Sequence, residues 1–98
     1  MDFKNSVVLI TGASSGIGYQ LAKDLAGEGA QLALLSRRTD SLESLAAELK
    51  IKTKVIYYKC DVTVKNEVVE AISNIKKHFG KIDIAILNSG VGYTSSVL

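Results

Sequence analysis

Four short apolar runs alternate with three amphipathic segments along this chain, and this alternation limits the possible folds more than any other feature. The apolar runs cover residues 7–10, 32–35, 55–58 and 82–87. Near-continuous apolar strands separated by helices are typical of a parallel sheet covered on its faces. With right-handed crossovers, the series predicts an α/β, Rossmann-type doubly wound sheet. If the fourth strand lies beside the first, the strand order is 3-2-1-4, and residues 1–98 form the N-terminal portion of one such domain.

The amphipathic segments predict three helices with defined ends. In the first, Ile17, Leu21 and Leu25 share the face expected to point inward. Asp40 is the expected cap of the second helix, and Thr63 the expected cap of the third. Two further stripes have helical spacing: Leu42, Leu45, Ala46 and Leu49, then Val68, Ile72, Ile75 and Phe79. Residues 90–98 are expected to form a loop.

Composition excludes several classes of function. The net charge is +2, which is too small to indicate binding to nucleic acid or to an anionic membrane. The basic run of residues 50–54 is interpreted as a solvated loop. A single cysteine, Cys60, excludes an internal disulfide, and no metal site is predicted. The start of the chain does not resemble a signal peptide, so a cytoplasmic location is expected.

The first strand runs into the sequence T-G-A-S-S-G-I-G, residues 11–18, which also opens the first helix. Gly12 allows a tight turn, and Gly16 removes a Cβ where a pyrophosphate approaches the backbone. Gly18 lets the helix pack close to the sheet. The helix N-terminus then offers free N–H groups to phosphates. The strand before the loop and the helix after it favour a dinucleotide-binding loop over a ligand-free turn.

This loop resembles the cofactor loop of the classical short-chain dehydrogenase/reductase family. The family also has an Asp after the third strand that contacts adenine, and Asp61 with the adjacent Val62 matches it. The family's N-N-A-G after the fourth strand is similar to L-N-S-G here, in which Asn88 and Gly90 fit the pattern. Two positions depart from that pattern, since Leu87 replaces the first Asn and Ser89 the Ala. The resemblance extends over the whole chain. The chain corresponds to less than half of the usual length of a family member.

The end of the second strand indicates which nicotinamide cofactor is preferred. An NAD-binding fold places a carboxylate there to accept hydrogen bonds from the ribose, but this chain has Ser36, Arg37 and Arg38. A guanidinium binds a 2′-phosphate bidentately, which favours NADP over NAD. These arginines also argue against a SAM-dependent methyltransferase. The predicted cofactor-binding residues are Gly12, Ser14, Ser15, Gly16, Ile17, Gly18, Ser36, Arg37, Arg38, Asp61, Val62, Asn88 and Gly90.

Tyr19 and Lys23 have the Y-x-x-x-K spacing of the family's catalytic pair. They belong to the first helix, however, and the helical phase predicts that they project away from the crevice at the strand ends. The resemblance implies that the catalytic Ser, Tyr and Lys lie downstream, beyond Leu98, so no catalytic residue is assigned within the chain.

The family implies hydride transfer between NADP(H) and a small-molecule carbonyl or alcohol substrate, in an enzyme that is a homo-oligomer. A naturally short, non-catalytic nucleotide-binding or regulatory module is the alternative interpretation. A downstream Ser and Tyr-x-x-x-Lys pattern would distinguish the two.

Overall fold

The computed structural model describes residues 3–13 and 16–87, together with the backbone of 96–97. Strands and helices alternate as the apolar pattern predicts. The strands are β1 (Val7–Thr11), β2 (Gln31–Ser36), β3 (Val55–Lys59), β4 (Ile84–Leu87) and β5 (Ser96–Val97). The helices are α1 (Gly16–Gly27), α2 (Thr39–Leu49) and α3 (Lys65–Phe79). No helix in the described ranges is long and apolar enough to cross a membrane.

The five strands form one sheet with the order β3-β2-β1-β4-β5. The first four are parallel, so the predicted order 3-2-1-4 and the doubly wound architecture are confirmed. The prediction of a loop after Gly90 is wrong at residues 96–97, which pair antiparallel with the start of β4. Backbone pairing beside a parallel strand needs only two extended residues, and neither turn residues nor apolar periodicity marks such a short segment.

Each face of the sheet carries its own apolar core. On one face, alternate residues of the strands, including Val8, Ile10, Leu32 and Leu34, pack against α1 and α2. On the opposite face, the intervening residues pack against α3, where Ile75 is fully buried. The side-chain period of two along each strand divides the apolar residues between the two faces. This packing fixes the helices on both sides and leaves the strand ends clear.

The predicted inward face of α1 is confirmed at Leu25 and wrong at Ile17. Ile17 is 73% exposed, whereas the buried residues of this helix are Gly18, Ala22, Leu25 and Ala26. The first turn extends beyond the end of β1, so a side chain at position 17 has no sheet beneath it. Small residues on the buried face let the helix approach the strands closely, as the glycine pattern predicts at Gly18.

Two predicted helix caps are also wrong. Arg38 and Val64 occupy the N-cap positions of α2 and α3, and neither makes a side-chain capping bond. Asp40 lies instead inside the first turn of α2, where a negative charge favours the helix dipole. Thr63 lies one residue before the cap, where its side chain has another partner. The helix stop at Gly80 is confirmed, since this residue has φ 82° at the C-cap of α3.

Candidate functional site

The strand register brings the carboxyl ends of β1, β2, β3 and β4 to the same edge of the sheet. Thr11 at the end of β1 lies opposite Leu35 of β2 and Leu87 of β4. Ser36 in turn lies opposite Lys59 of β3. The described residues that follow β1, β2 and β3 therefore lie around one crevice, at the point where the strand order reverses beside β1. In open α/β sheets, ligands bind at such a switch point.

The glycine loop after β1 has the backbone that its sequence predicts. Gly12 and Gly16 have φ values of 64° and 59°, in the left-handed region that favours glycine. A Cβ built on Gly16 meets no atom within 4 Å, so this position opens onto free space at the start of α1. Gly18 is buried against the sheet. Ser14 and Ser15 lie outside the described residues.

The turn after β2 carries the two arginines. Ser36 is buried, and its Oγ accepts a hydrogen bond of 3.2 Å from the backbone N–H of Arg38. Because this bond closes the turn locally, the backbone at positions 37 and 38 is fixed relative to the strand end. Both arginine side chains are exposed at this edge. The loop after β1 joins the same turn, since Ala13 N–H donates to the carbonyl of Leu35 at 3.3 Å.

The turn after β3 is tied to the turn after β2. Cys60 N–H donates to the carbonyl oxygen of Ser36 at 2.9 Å, which places Asp61 beside the arginine turn. Asp61 Oδ1 accepts bonds from the backbone N–H and the hydroxyl of Thr63, at 2.9 and 2.6 Å. Its own N–H donates to Glu67 Oε1 at 3.0 Å. These bonds hold one carboxylate oxygen of Asp61.

The surroundings at this turn shift the pKa values of two neighbouring groups, Asp61 and Cys60, in opposite directions. The pKa of Asp61 is lowered, chiefly by the hydrogen bonds from Thr63, with a smaller contribution from the positive charge of Arg37. The pKa of Cys60 is raised by burial and by the nearby carboxylates of Glu67 and Asp61. Asp61 is therefore an ionised hydrogen-bond acceptor at neutral pH, while Cys60 is a buried thiol without nucleophilic character.

The remaining predicted site residues divide into two groups. Val62 is half-buried directly after Asp61, and the exposed Ile17 stands at the start of α1, so both lie at the edge of the crevice. Asn88 and Gly90 follow β4 in the sequence and lie outside the described residues. Leu87, which replaces the family's first Asn, is the last residue of β4 and is 44% exposed.

Two residues at the site were not predicted to act there. Thr63 was assigned to a helix cap, and Glu67 was given no role, yet both bond to Asp61. The spacing D-x-T carries a usable signal, because an Asp that accepts a bond from the N–H two residues later forms an Asx turn. Glu67 offered no comparable signal, since its bond depends on where the first turn of α3 lies.

Tyr19 and Lys23 lie apart from this group of residues. The ring of Tyr19 is half-buried and packs against the apolar core beneath α1 and α2. Lys23 Nζ lies 5.3 Å from the centre of that ring and 3.5 Å from Glu48 Oε2 of α2. The pair therefore connects two helices.

The described residues fit a nicotinamide dinucleotide. Gly16 leaves free space where a side chain would otherwise stand, and it does so at the N-terminus of a 12-residue helix. Such a helix end attracts the negative charge of a pyrophosphate. Arg37 and the Asp61 carboxylate supply a cation and an acceptor at neighbouring strand ends. These groups match a ligand with phosphates at its middle and an adenosine at one end.

The sequence matches the family model for short chain dehydrogenases over residues 6–98. The chain therefore belongs to the short-chain dehydrogenase family. This membership confirms the family that the glycine loop and the C-D-V-T segment indicate. Members of the family include enzymes described as oxidoreductases.

Individual relatives agree with this assignment. An uncharacterised oxidoreductase of Staphylococcus epidermidis is 37% identical over 94 residues, which is 96% of this chain and 40% of that protein. An NAD+-bound xylitol dehydrogenase has a TM-score of 0.83 and 36% identity, over 87% of this chain and 33% of its own. An NADPH-dependent 3-quinuclidinone reductase from Rhodotorula rubra has a TM-score of 0.80 and 38% identity, over 86% of this chain and 32% of its own. The chain thus spans about two-fifths or less of these relatives.

Proposed function

We propose that residues 1–98 form the NADP(H)-binding part of an oxidoreductase that transfers a hydride between nicotinamide and a small carbonyl or alcohol substrate. The observation that carries this proposal is the pairing of a phosphate-type glycine loop with Arg37 at the adjacent strand end. A relative described as NADPH-dependent and another described as NAD+-bound support a nicotinamide cofactor of either kind. The choice between them rests on this chain's own side chains.

Arg37 favours the phosphorylated cofactor for electrostatic reasons. A guanidinium forms two parallel, charge-assisted bonds to a phosphate and gains little from an uncharged hydroxyl. The Ser36 hydroxyl fixes the backbone from which Arg37 and Arg38 project. In the described turn 36–38 no carboxylate is present to accept bonds from a ribose 2′-OH. The turn is therefore suited to a 2′-phosphate.

The chain's residues bind and orient, whereas the chemistry of the reaction comes from the cofactor and from residues beyond this chain. When bound, the nicotinamide supplies or accepts the hydride. Asp61 would accept a hydrogen bond from the adenine, and the start of α1 would hold the phosphates. The family resemblance implies that the proton transfer belongs to a Ser, Tyr and Lys downstream of the cofactor-binding part. The proposal includes a cytoplasmic location, with which the free thiol of Cys60 is compatible.

Calorimetric titration of the complete polypeptide with NADPH and with NADH tests this proposal. We expect NADPH to bind at least tenfold more tightly, which corresponds to about 1.4 kcal/mol. Arg37→Asp should flatten or reverse the ratio, because it replaces the cation by a carboxylate suited to a ribose hydroxyl. Lys77→Asp, on the exposed last turn of α3, makes the same charge change and should leave the ratio unaltered. Equal affinities in the unmodified protein would refute the NADP preference.

A further inference from the structure

A second concave surface lies at the opposite end of the sheet from the glycine loop. It is an open concavity of about 440 Å³, formed where the chain enters the first three strands. The segments that line it precede β1, start β2 and connect α2 to β3. Each of these strands has five or six residues, so this surface is roughly 15–20 Å from the cofactor crevice. The residues that line it are Lys4, Asn5, Gly29, Gln31, Lys50, Ile51, Lys52, Thr53 and Lys54.

The charge of this concavity is strongly one-sided. Four of its lining residues are lysines, and of the described residues that line it none carries a carboxylate. The chain as a whole has a net charge of only +2, so the remainder of the chain is net negative. Lys50, Lys52 and Lys54 form no ion pair within the part of the chain that the structure describes. A concave surface that gathers charge of one sign concentrates ions of the opposite sign.

The helix end accounts for only part of this clustering. Lys50 is the C-cap residue of α2, a position at which a cation favours the helix dipole. Lys52 and Lys54 lie beyond the last turn, and Lys4 comes from a different segment of the chain. Exposed lysines gathered at one concave surface raise the local concentration of anions. The cluster therefore points to a ligand rather than to helix stability alone.

The walls of the concavity are fixed by hydrogen bonds before any ligand binds. Thr53 Oγ1 donates to the carbonyl of Ala30 at 2.7 Å, and Asn5 N–H donates to that of Gly29 at 3.0 Å. Leu32 N–H donates to the carbonyl of Lys54 at 2.9 Å. These bonds join all three lining segments to one another. A preformed wall reduces the entropy lost on binding.

We propose that this concavity, formed by Lys4 and the lysines of 50–54, binds a small multivalent anion that carries phosphate groups. Its volume lies within the usual range of about 300–1,000 Å³ for small-molecule sites. Lysine is a point cation with three donors that binds phosphate without a fixed geometry. The polar side chains of Asn5 and Gln31 add neutral donors at the same surface. A lipid surface fits less well, because the lysines line a hollow and Ile51, 89% exposed, is a single apolar residue.

Titration with inorganic tripolyphosphate tests the proposal. The complete polypeptide is first saturated with NADP+, which occupies the proposed cofactor site, and tripolyphosphate is then added in a calorimeter at about 50 mM salt, where surface charges are only partly screened. Binding should be at least tenfold weaker in the double variant Lys52→Gln/Lys54→Gln. The matched variant Lys76→Gln/Lys77→Gln removes the same charge from the exposed end of α3 and should bind within about twofold of the unmodified protein.

Three outcomes would overturn the inference. One is the absence of tripolyphosphate binding to the unmodified protein. Another is an equal loss of tripolyphosphate affinity in both double variants, which would reflect the net charge of the protein alone. The third is that the protein sediments with phosphatidylserine vesicles, that this binding requires Lys52 and Lys54, and that tripolyphosphate does not compete with the vesicles. That result would assign the lysines to a lipid surface. NADP+ affinity, measured in the same variants, should be unchanged, so failure here is distinct from failure of the cofactor assignment.

Discussion

In the proposed cofactor site, single side chains at the carboxyl ends of β2 and β3 are expected to decide which cofactor binds. Arg37 supplies a cation beside the ionised Asp61, and the backbone of each is held by a local hydrogen bond. Because the two turns are also joined through Cys60 and Ser36, a change in one turn displaces the other. Specificity at this end of the site therefore depends on a few short, exposed turns.

Tyr19→Phe should leave reductase activity of the complete polypeptide unchanged. The hydroxyl belongs to a ring that packs on the core beneath α1 and α2, away from the strand ends. Phenylalanine keeps the ring and its contact with the Lys23 ammonium. Steady-state kinetics with NADPH and a carbonyl substrate provides the measurement. A loss of about a hundredfold or more, the size expected for a lost general acid, would show that Tyr19 takes part in the reaction.

The acidic residue Asp83 holds the beginning of β4 against β1. Asp83 N–H donates to the carbonyl of Val7 at 2.9 Å, and its Oδ2 accepts from Val7 N–H at 2.7 Å. The carboxylate thus takes the place of a strand carbonyl beside β1, and it also contacts Lys81 Nζ at 3.1 Å. The bond from Val7 is the main reason that the pKa of Asp83 is lowered, and Lys81 adds to it.

Asp83→Asn should lower stability at neutral pH by about 1 kcal/mol, because a neutral amide is a weaker acceptor than a carboxylate. A carboxyl group with a lowered pKa in the folded protein stabilises it above the unfolded pKa. That contribution disappears as the pH falls through the lowered value, below the ordinary 3.8. The difference in thermal midpoint between the two proteins should therefore be largest near pH 7 and shrink toward pH 3.

Glu70→Gln, at an exposed position of α3, is the control for this comparison and should change the midpoint little. A difference between unmodified protein and Asp83→Asn that stays constant from pH 7 to pH 3 would contradict the assigned role of the carboxylate.

The elements could be predicted from the sequence to different degrees. The parallel strands and the glycine loop were predictable because continuous apolar runs and a strand–glycine–helix order each have one common structural solution. The buried face of α1 was predictable only in part: Gly18 and Leu25 are buried as expected, whereas Ile17, which the helical spacing places on the same face, is exposed. The Glu67 bond to Asp61 depends on tertiary placement, which local patterns do not contain.

For the whole molecule, the two faces of the sheet are covered unequally. Helices α1 and α2 pack on one face, and of the described helices only α3 packs on the other. Strand β5 covers part of β4, but it pairs only with Ile84 and Ala85. Ile86 and Leu87 lie beyond this pairing. Apolar surface and strand backbone therefore remain available for association.

An isolated polypeptide of residues 1–98 should consequently form dimers or larger species, and it should not reduce carbonyl substrates with NADPH. The first expectation follows from the unequally covered sheet, and the second from the absence of a positioned proton donor among the described residues at the crevice. Light scattering would measure the mass of the species in solution. A compact, stable monomer of 10.5 kDa would contradict the first expectation and favour a short binding module.

The central claim is that the loop of residues 11–18 holds the phosphates of a nicotinamide dinucleotide, and Gly16→Ala tests it most directly. The added Cβ would enter the free space at the start of α1, so we expect NADPH to bind at least tenfold more weakly. Gly80→Ala is the matched control, because Gly80 also has a left-handed φ and free space around it but caps α3 instead.

Both substitutions should cost about 1–2 kcal/mol of stability through backbone strain, so circular dichroism must first show that each variant is folded. Calorimetric titration with NADPH is then the decisive measurement. Weakened binding in Gly16→Ala together with normal binding in Gly80→Ala is the predicted result. Equal NADPH affinity in Gly16→Ala and in the unmodified protein would contradict the account.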